Sequence, residues 1–430
     1  MPSRRSFVAG LASASVALPA FSRDAYAQLF RANTIAGDRA PADVATDEVY
    51  WAQIQRAFDA DRTLINLNNG GISPTPSHVL EQMIRDLKFT NELPVEHMWR
   101  ILQPRMESTR RELAKEFGCD PEEMAVVRNA SEALETMILG IDLKRGDEVI
   151  VSNQNYGRMI TTWEQRVRRE GIVLKQVSFP VPPPSPQAVI DAFANAITPR
   201  TRVMEVTHIT NLTGQILPVR ELSKICRAKG IELFIDGAHA FAHWPFTRDE
   251  LDVDYYGTSL HKWLHAPIGA GFLYVRKEKI PQLWSMMGSA EAQKADIRKY
   301  EEIGTHPQAN FNAVSAAIAF HRGIGPERKI ARLRYLRDRW ATRLLKESDR
   351  VKVLTPLGPD QGGAIALFSV TGIDPVKLGG WLSEKYKIVS TPIVHPEFTG
   401  IRITPNVYTM VDEVDTFAGA VLTAIKKGVA

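Results

Sequence analysis

Between about residues 120 and 276 the chain alternates short β-branched or aromatic runs with longer stretches of helical period, and this alternation restricts the fold more than any other feature. Candidate strands are 124–127 (MAVV), 147–152 (DEVIVS), 172–179 (IVLKQVSF), 202–209 (RVMEVTHI), 231–236 (IELFID), 253–259 (VDYYGTS) and 271–275 (GFLYV). Helical periods fill the gaps at 131–139, 157–170, 186–197 and 218–230. Near-continuous apolar strands separated by helices imply an α/β fold with a mainly parallel, seven-stranded sheet covered on both faces. After residue 310 the texture changes. A strongly charged helix at 326–347 is followed by short strands at 351–354, 363–370 and 401–404 and a closing helix at 412–427, the pattern of a smaller α+β domain. The expected division is an N-terminal segment 1–27, an arm 28–75, a large domain 76–300 and a small C-terminal domain 301–430.

Composition narrows the function classes. With 430 residues, 44% of them hydrophobic, the chain can bury a large core, and a net charge of only +4 argues against a nucleic-acid partner. Two cysteines, Cys119 and Cys226, are too few for a disulfide framework and are not spaced as zinc ligands. The N-terminus reads SRRSFVA at 3–9, then a weakly apolar stretch at 10–21, then Ala25-Tyr26-Ala27 ahead of Gln28. It resembles a twin-arginine signal peptide, too short and too rich in Ala and Ser to stay in a membrane. That resemblance implies export by the twin-arginine machinery to a periplasmic or secreted location, a route taken by proteins that fold, often around a cofactor, before crossing.

In an open parallel sheet the ligand crevice lies at the carboxyl ends of the strands. Polar residues cluster there: Asp236-Gly237-Ala238-His239, Ser259-Leu260-His261-Lys262, Thr210-Asn211 and Arg128-Asn129-Ala130-Ser131. With the segments FIDGAHA (234–240), SLHKW (259–263) and THITNLTGQILP (207–218), this constellation resembles the class V aminotransferase family of pyridoxal 5′-phosphate (PLP) enzymes of fold type I, in its isopenicillin N epimerase-like branch. LNNGGISPTP (67–76), RNASEALE (128–135), GTHPQAN (304–310) and IRITPNVYT (401–409) support it, so the likeness runs from about residue 60 to 425.

The resemblance implies a role for each residue. Lys262 holds the PLP aldehyde and later moves a proton, and Asp236 faces the pyridine nitrogen. Ala130 and Ser131 at a helix start, with Ser259 and His261, take the phosphate, and Thr305 reaches the phosphate of a neighbouring subunit in a homodimer. Asn211 and His239 bond the ring oxygen, and Tyr156 stacks on the ring face. Arg402 holds the carboxylate of an amino-acid or peptide substrate with its bidentate fork, and Asn69 with Gly70-Gly71 lines the substrate mouth. Plainer readings compete. A helix cap explains Ser131 equally well, Tyr156 is an ordinary core aromatic in many folds, and Arg402 suits a structural ion pair. The pairs His239/His243 and His261/His265 have the helical spacing of zinc ligands but lack the glutamate of a metalloprotease, so no metal is assigned.

No cysteine follows Lys262, which excludes a protein-borne persulfide and leaves transamination, epimerisation or elimination at an amino acid. Epimerisation needs a second base that spacing does not identify, so transaminase-type chemistry leads. The competing class is a protein that binds PLP or an amino acid without turnover. Retention of both Lys262 and Arg402 speaks against it.

Overall fold

The computed structural model describes residues 25–429, so the Arg4-Arg5 pair and the apolar stretch after it lie outside the described residues. Ala25-Tyr26-Ala27 opens the helix Ala25–Ala36. The first strand, β1 (Ile65–Asn66), belongs to the arm. The large sheet then uses β2 (Met124–Val127), β3 (Glu148–Ser152), β4 (Val173–Val177), β5 (Thr201–Thr207), β6 (Glu232–Asp236), β7 (Tyr255–Ser259) and β8 (Gly271–Val275) in the order β2-β8-β7-β6-β5-β3-β4. Only β8 runs against its neighbours; every other pairing is parallel.

Alternation along each strand feeds two apolar layers. On β6, Leu233 and Ile235 join one core, with Met204, Val206 and Tyr256, under the N-terminal helices. Phe234 joins the other, with Val203, Tyr255 and Trp163, under the helices Ala130–Gly140 and Gly157–Glu170. Burial on both faces is why the central strands are mostly apolar, whereas the edge strand β4, with Lys175 and Gln176, is partly exposed along its length. Gly237, directly after β6, is required by close approach: a Cβ there would lie 2.1 Å from the buried ring of Tyr256. The chain can therefore turn tightly as it leaves the sheet with Asp236.

The second sheet is antiparallel, with β9 (Val351–Val353), β10 (Ala366–Val370), β12 (Thr391–Val394) and β13 (Thr399–Ile403) in the order β12-β13-β10-β9, while the short β11 (Ile388–Val389) pairs in parallel with β1. Its core centres on Trp340, Phe368 and Phe417, whose rings lie 5.5–5.7 Å apart. The expected boundary at residue 300 does not follow the cores. Phe311, Phe320, Ile330 and Leu333 pack with the large sheet, and Leu336 is the first residue of the helix Pro326–Glu347 in the small core. Both cores draw on that one helix, and its continuous apolar stripe hid the division. Among the described residues no helix is long and apolar enough to cross a membrane.

Candidate active site

The carboxyl ends of β2, β5, β6 and β7 converge on a cavity of about 300 Å³. Ten residues singled out in the sequence line it: Ala130 and Ser131 after β2, Tyr156 after β3, Asn211 after β5, Asp236 and His239 at and after β6, Ser259, His261 and Lys262 at and after β7, and Arg402 from β13. A parallel sheet does this without special interactions, since strands running the same way bring all their exits to one edge.

The helix Ala130–Gly140 points its first turn into the cavity. Asn129 caps it by accepting from the Glu132 amide at 2.9 Å, and Ser259 Oγ accepts from the Ala130 amide at 2.9 Å. A capped helix start beside the Ser131 and Ser259 hydroxyls is suited to an anion. On the floor, the Asp236 carboxylate accepts, among the described residues, only the Ala238 amide, at 2.9 Å. Burial raises its pKa, against the pull of that amide and of Lys262. Lys262 Nζ lies 3.1 Å from His239 Nε2. Burial brings the Lys262 ammonium down to about 8, the Asp236 carboxylate opposing and Arg402 adding to the fall. His261, pushed down to about 4 by burial and then by Lys262, is a neutral ring near pH 7.

Arg402 is anchored by neutral oxygens. It donates to the Asn211 carbonyl at 2.8 Å, to Asn68 Oδ1 at 2.8 Å and to Thr391 Oγ1 at 3.3 Å. No carboxylate pairs with it among the described residues, and burial alone lowers its pKa to about 10. An enclosed guanidinium without a counter-ion calls for an anionic ligand.

The polar atoms left without partners test whether PLP fits. Thr207 Oγ1, Asn211 Oδ1, His239 Nδ1, His261 Nδ1 and Arg402 Nε are all shut off from solvent and unpartnered, and all belong to residues of the cavity wall. Unsatisfied buried groups are costly and rarely collect in one place without a ligand. A carboxylate, a lysine with a lowered pKa, an anion-binding helix start and these free atoms match what PLP carries.

One expected residue is elsewhere. The Asn69 side chain donates to the carbonyls of Asn66 and Thr404 at 3.0 Å and accepts from Tyr408, a network in which it is fully enclosed. Gly70 and Gly71 reach the cavity wall, and the neighbouring Asn68 meets Arg402. Thr305 is exposed and outside the cavity of its own chain. The histidine pairs also separate. His243 accepts from the Ala364 amide and stacks on Trp263, and His265 bonds Asn406 at 3.0 Å. Neither cysteine is in the wall, and burial raises both thiols.

Sequence reading missed Thr207, which ends β5 opposite Asp236 and was legible only through that register. Asn129, grouped with the polar residues at the exit of β2 but given no role, is the helix cap, and Asn68 was not assigned one either.

Taken together, the sheet and the cavity are those of a PLP-dependent enzyme of fold type I. The family described as Aminotransferase class-V matches residues 65–391, and the chain belongs to that family. It is 30% identical over 387 residues to an isopenicillin N epimerase from Streptomyces clavuligerus, covering 86% of this chain and 97% of the relative. It is 24% identical over 345 residues to a cysteine desulfurase from Haloferax volcanii, covering 76% and 80%. In fold it is similar to the apo structure of a cysteine desulfurase from Thermococcus onnurineus NA1, with a TM-score of 0.74 and 21% identity over 86% of this chain and 97% of that one.

The lowered Lys262 pKa makes a testable prediction. In cofactor-free protein below about pH 8, the folded state bears the full cost of a charged, desolvated ammonium, and that cost fades as pH rises from about 8 towards the free-lysine value of 10.5. Lys262→Met should therefore be more stable than wild type at pH 7 in urea unfolding, with the advantage shrinking to nothing by pH 10.5. A constant difference across this range would contradict the assignment.

Proposed function

We propose that this enzyme removes a proton from Cα of an amino acid, free or at the end of a peptide, and returns a proton, exchanged with solvent, to the opposite face of the same carbon, an epimerase-type outcome. The observation that carries the substrate class is Arg402, an enclosed guanidinium without a carboxylate partner that opens on the cavity holding Lys262 and Asp236. Bound PLP supplies a ring that withdraws electrons from Cα. Asp236, with its single amide partner, is available to hold a proton on the ring nitrogen. Lys262 anchors the cofactor aldehyde and, in its neutral form, takes the Cα proton. His239, at 3.1 Å, orients the amine. Ala130, Ser131, Ser259 and His261 take the phosphate, Asn211 and His239 the ring oxygen, Tyr156 the ring face, and Arg402 the substrate carboxylate.

Epimerisation leads because the isopenicillin N epimerase matches nearly the whole of both chains. The cavity wall also holds a phenol, Tyr156, whose place against the ring face makes it the candidate for the second proton-transfer group. Transamination, favoured from the sequence alone, is the second reading. It is supported by Lys262 being, among the described residues, the one amine in the cavity wall, since a single amine can move the proton between two carbons.

Reaction in D2O separates the outcomes. The expected result is deuterium at Cα together with accumulating D-isomer and no keto acid. Keto acid formed with transfer of the amine would replace epimerisation by transamination, sulfide or another leaving group would indicate elimination, and absence of any exchange would favour the binding-only class. Arg402→Ala should raise KM by roughly 10- to 100-fold, from the ~1.5–3 kcal/mol typical of hydrogen bonds to a charged group, without reducing PLP content. Equal loss of PLP and substrate would make Arg402 structural.

A homodimer is part of the proposal. Leu80, Ile84 and Leu87 form an exposed apolar stripe on the helix Ser77–Glu92, continued by exposed Leu93, Val95 and Trp99, an area suited to a second copy whose Thr305 reaches this cavity. Light scattering should give a dimer mass for wild type and a monomer for Leu87→Glu/Trp99→Glu. A monomeric wild type would remove Thr305 from the site.

The export reading rests on Arg4-Arg5, the apolar stretch and Ala25-Tyr26-Ala27. Replacing Arg4 and Arg5 with lysine should keep the protein in the cytoplasmic fraction. Unchanged export would defeat the twin-arginine assignment.

A further inference from the structure

Asn68 stands behind the cavity wall at the junction of three chain segments. It follows β1, bridges in parallel to Thr404 and accepts the Gly71 amide on its carbonyl at 3.1 Å. Its own amide donates to Asn66 Oδ1 at 3.0 Å, which fixes the backbone from which its side chain projects. That side chain gives Oδ1 to two donors, Thr391 Oγ1 at 2.6 Å and Arg402 Nη2 at 2.8 Å. Thr391 and Arg402 face each other across β12 and β13, so one amide oxygen clasps a cross-strand pair in the small sheet and ties it to the arm.

Chemistry at this position is discriminating. A guanidinium on a flexible stem loses conformational freedom when it binds a carboxylate, and that loss is smaller if it is already oriented. A carboxylate in place of the Asn68 amide would orient it equally well but would neutralise it, and the cavity would lose its attraction for an anion. All three acceptors around Arg402 are neutral: a backbone carbonyl, a hydroxyl and an amide oxygen.

We propose that Asn68 is a positioning and specificity-determining residue: its neutral amide oxygen orients the Arg402 fork without consuming its charge, and so reserves it for a substrate carboxylate. The inference rests on the reading of Arg402 as the carboxylate site. The neighbouring Asn69, expected at the substrate mouth, has its side chain occupied elsewhere.

Asn68→Asp and Asn68→Ala test it on the PLP-loaded enzyme. If Asn68 were a merely structural hydrogen-bonding residue, the isosteric Asn68→Asp would be the milder change. The proposal reverses that order. The introduced carboxylate would form an internal ion pair with Arg402, raising KM for an amino acid by at least about tenfold, more than Asn68→Ala does, while kcat at saturation, the visible spectrum and the thermal midpoint stay near wild type. An amine substrate lacking the carboxylate should show no such rise. A KM for Asn68→Asp at or below that of Asn68→Ala overturns the proposal, as does an equal rise for the carboxylate-free amine. Arg402→Ala, assayed alongside, separates the two failures. If its KM is raised while Asn68→Asp behaves as wild type, only the role of Asn68 falls. If its KM is unchanged, the Arg402 reading falls and takes this inference with it.

Discussion

Everything at the site depends on two ionisable groups held out of water at the exits of adjacent parallel strands, Asp236 at the end of β6 and Lys262 shortly after β7. Water would hold the lysine fully charged and the carboxylate well solvated. Burial weakens both charges, and their mutual attraction recovers only part of that loss, leaving an amine with a pKa near 8 and a carboxylate with a raised pKa. Such a pair is poorly stabilised by the protein alone. It is the arrangement that a bound ring with a protonatable nitrogen and an aldehyde relieves, which links the energetics of the fold to its cofactor.

The surrounding architecture keeps that pair in place. Tight turning at Gly237 brings His239 back to 3.1 Å from Lys262 Nζ. On the far side of the lysine loop, the Ser73 amide donates to the His261 carbonyl, and Asn406 bonds both Ser73 and His265. The arm, the lysine loop and the small domain are thus joined by one buried polar network beneath the cavity. Because β13 also carries Arg402, the same small sheet that anchors this network presents the guanidinium to the site. Movement of the small domain would shift the Arg402 guanidinium relative to Lys262.

The large sheet was legible because its central strands are buried on both faces, so β3 and β6 read as short apolar cores and their exits could be searched for chemistry. Strand ends were less so: the run 202–209 leaves the ladder after Thr207, where the His208 amide turns to the Asp236 carbonyl. What could not be read depends on distant partners. β1 has two residues, and its pairing with β11, more than 300 positions away, decides which asparagine faces Arg402. A one-residue choice of face separates Asn68 from Asn69, and no local pattern encodes it. The placing of Phe311–Leu333 in the large core was hidden for a similar reason, since a helix shared by two cores has the same periodicity as one that serves a single core.

Reduction with borohydride measures the central claim most directly, because it fixes PLP to whichever lysine holds it. Two buried lysines have strongly lowered pKa values: Lys262 in the cavity, at about 8, and Lys329 beneath it, at about 7, whose ammonium donates to the Trp263 carbonyl. Low pKa alone would favour Lys329, whereas the geometry of the cavity assigns Lys262. Peptide mass mapping of the reduced, PLP-loaded enzyme should find the phosphopyridoxyl group on the peptide containing Lys262 and nowhere else. Its appearance on Lys329, or on no lysine, would contradict the account.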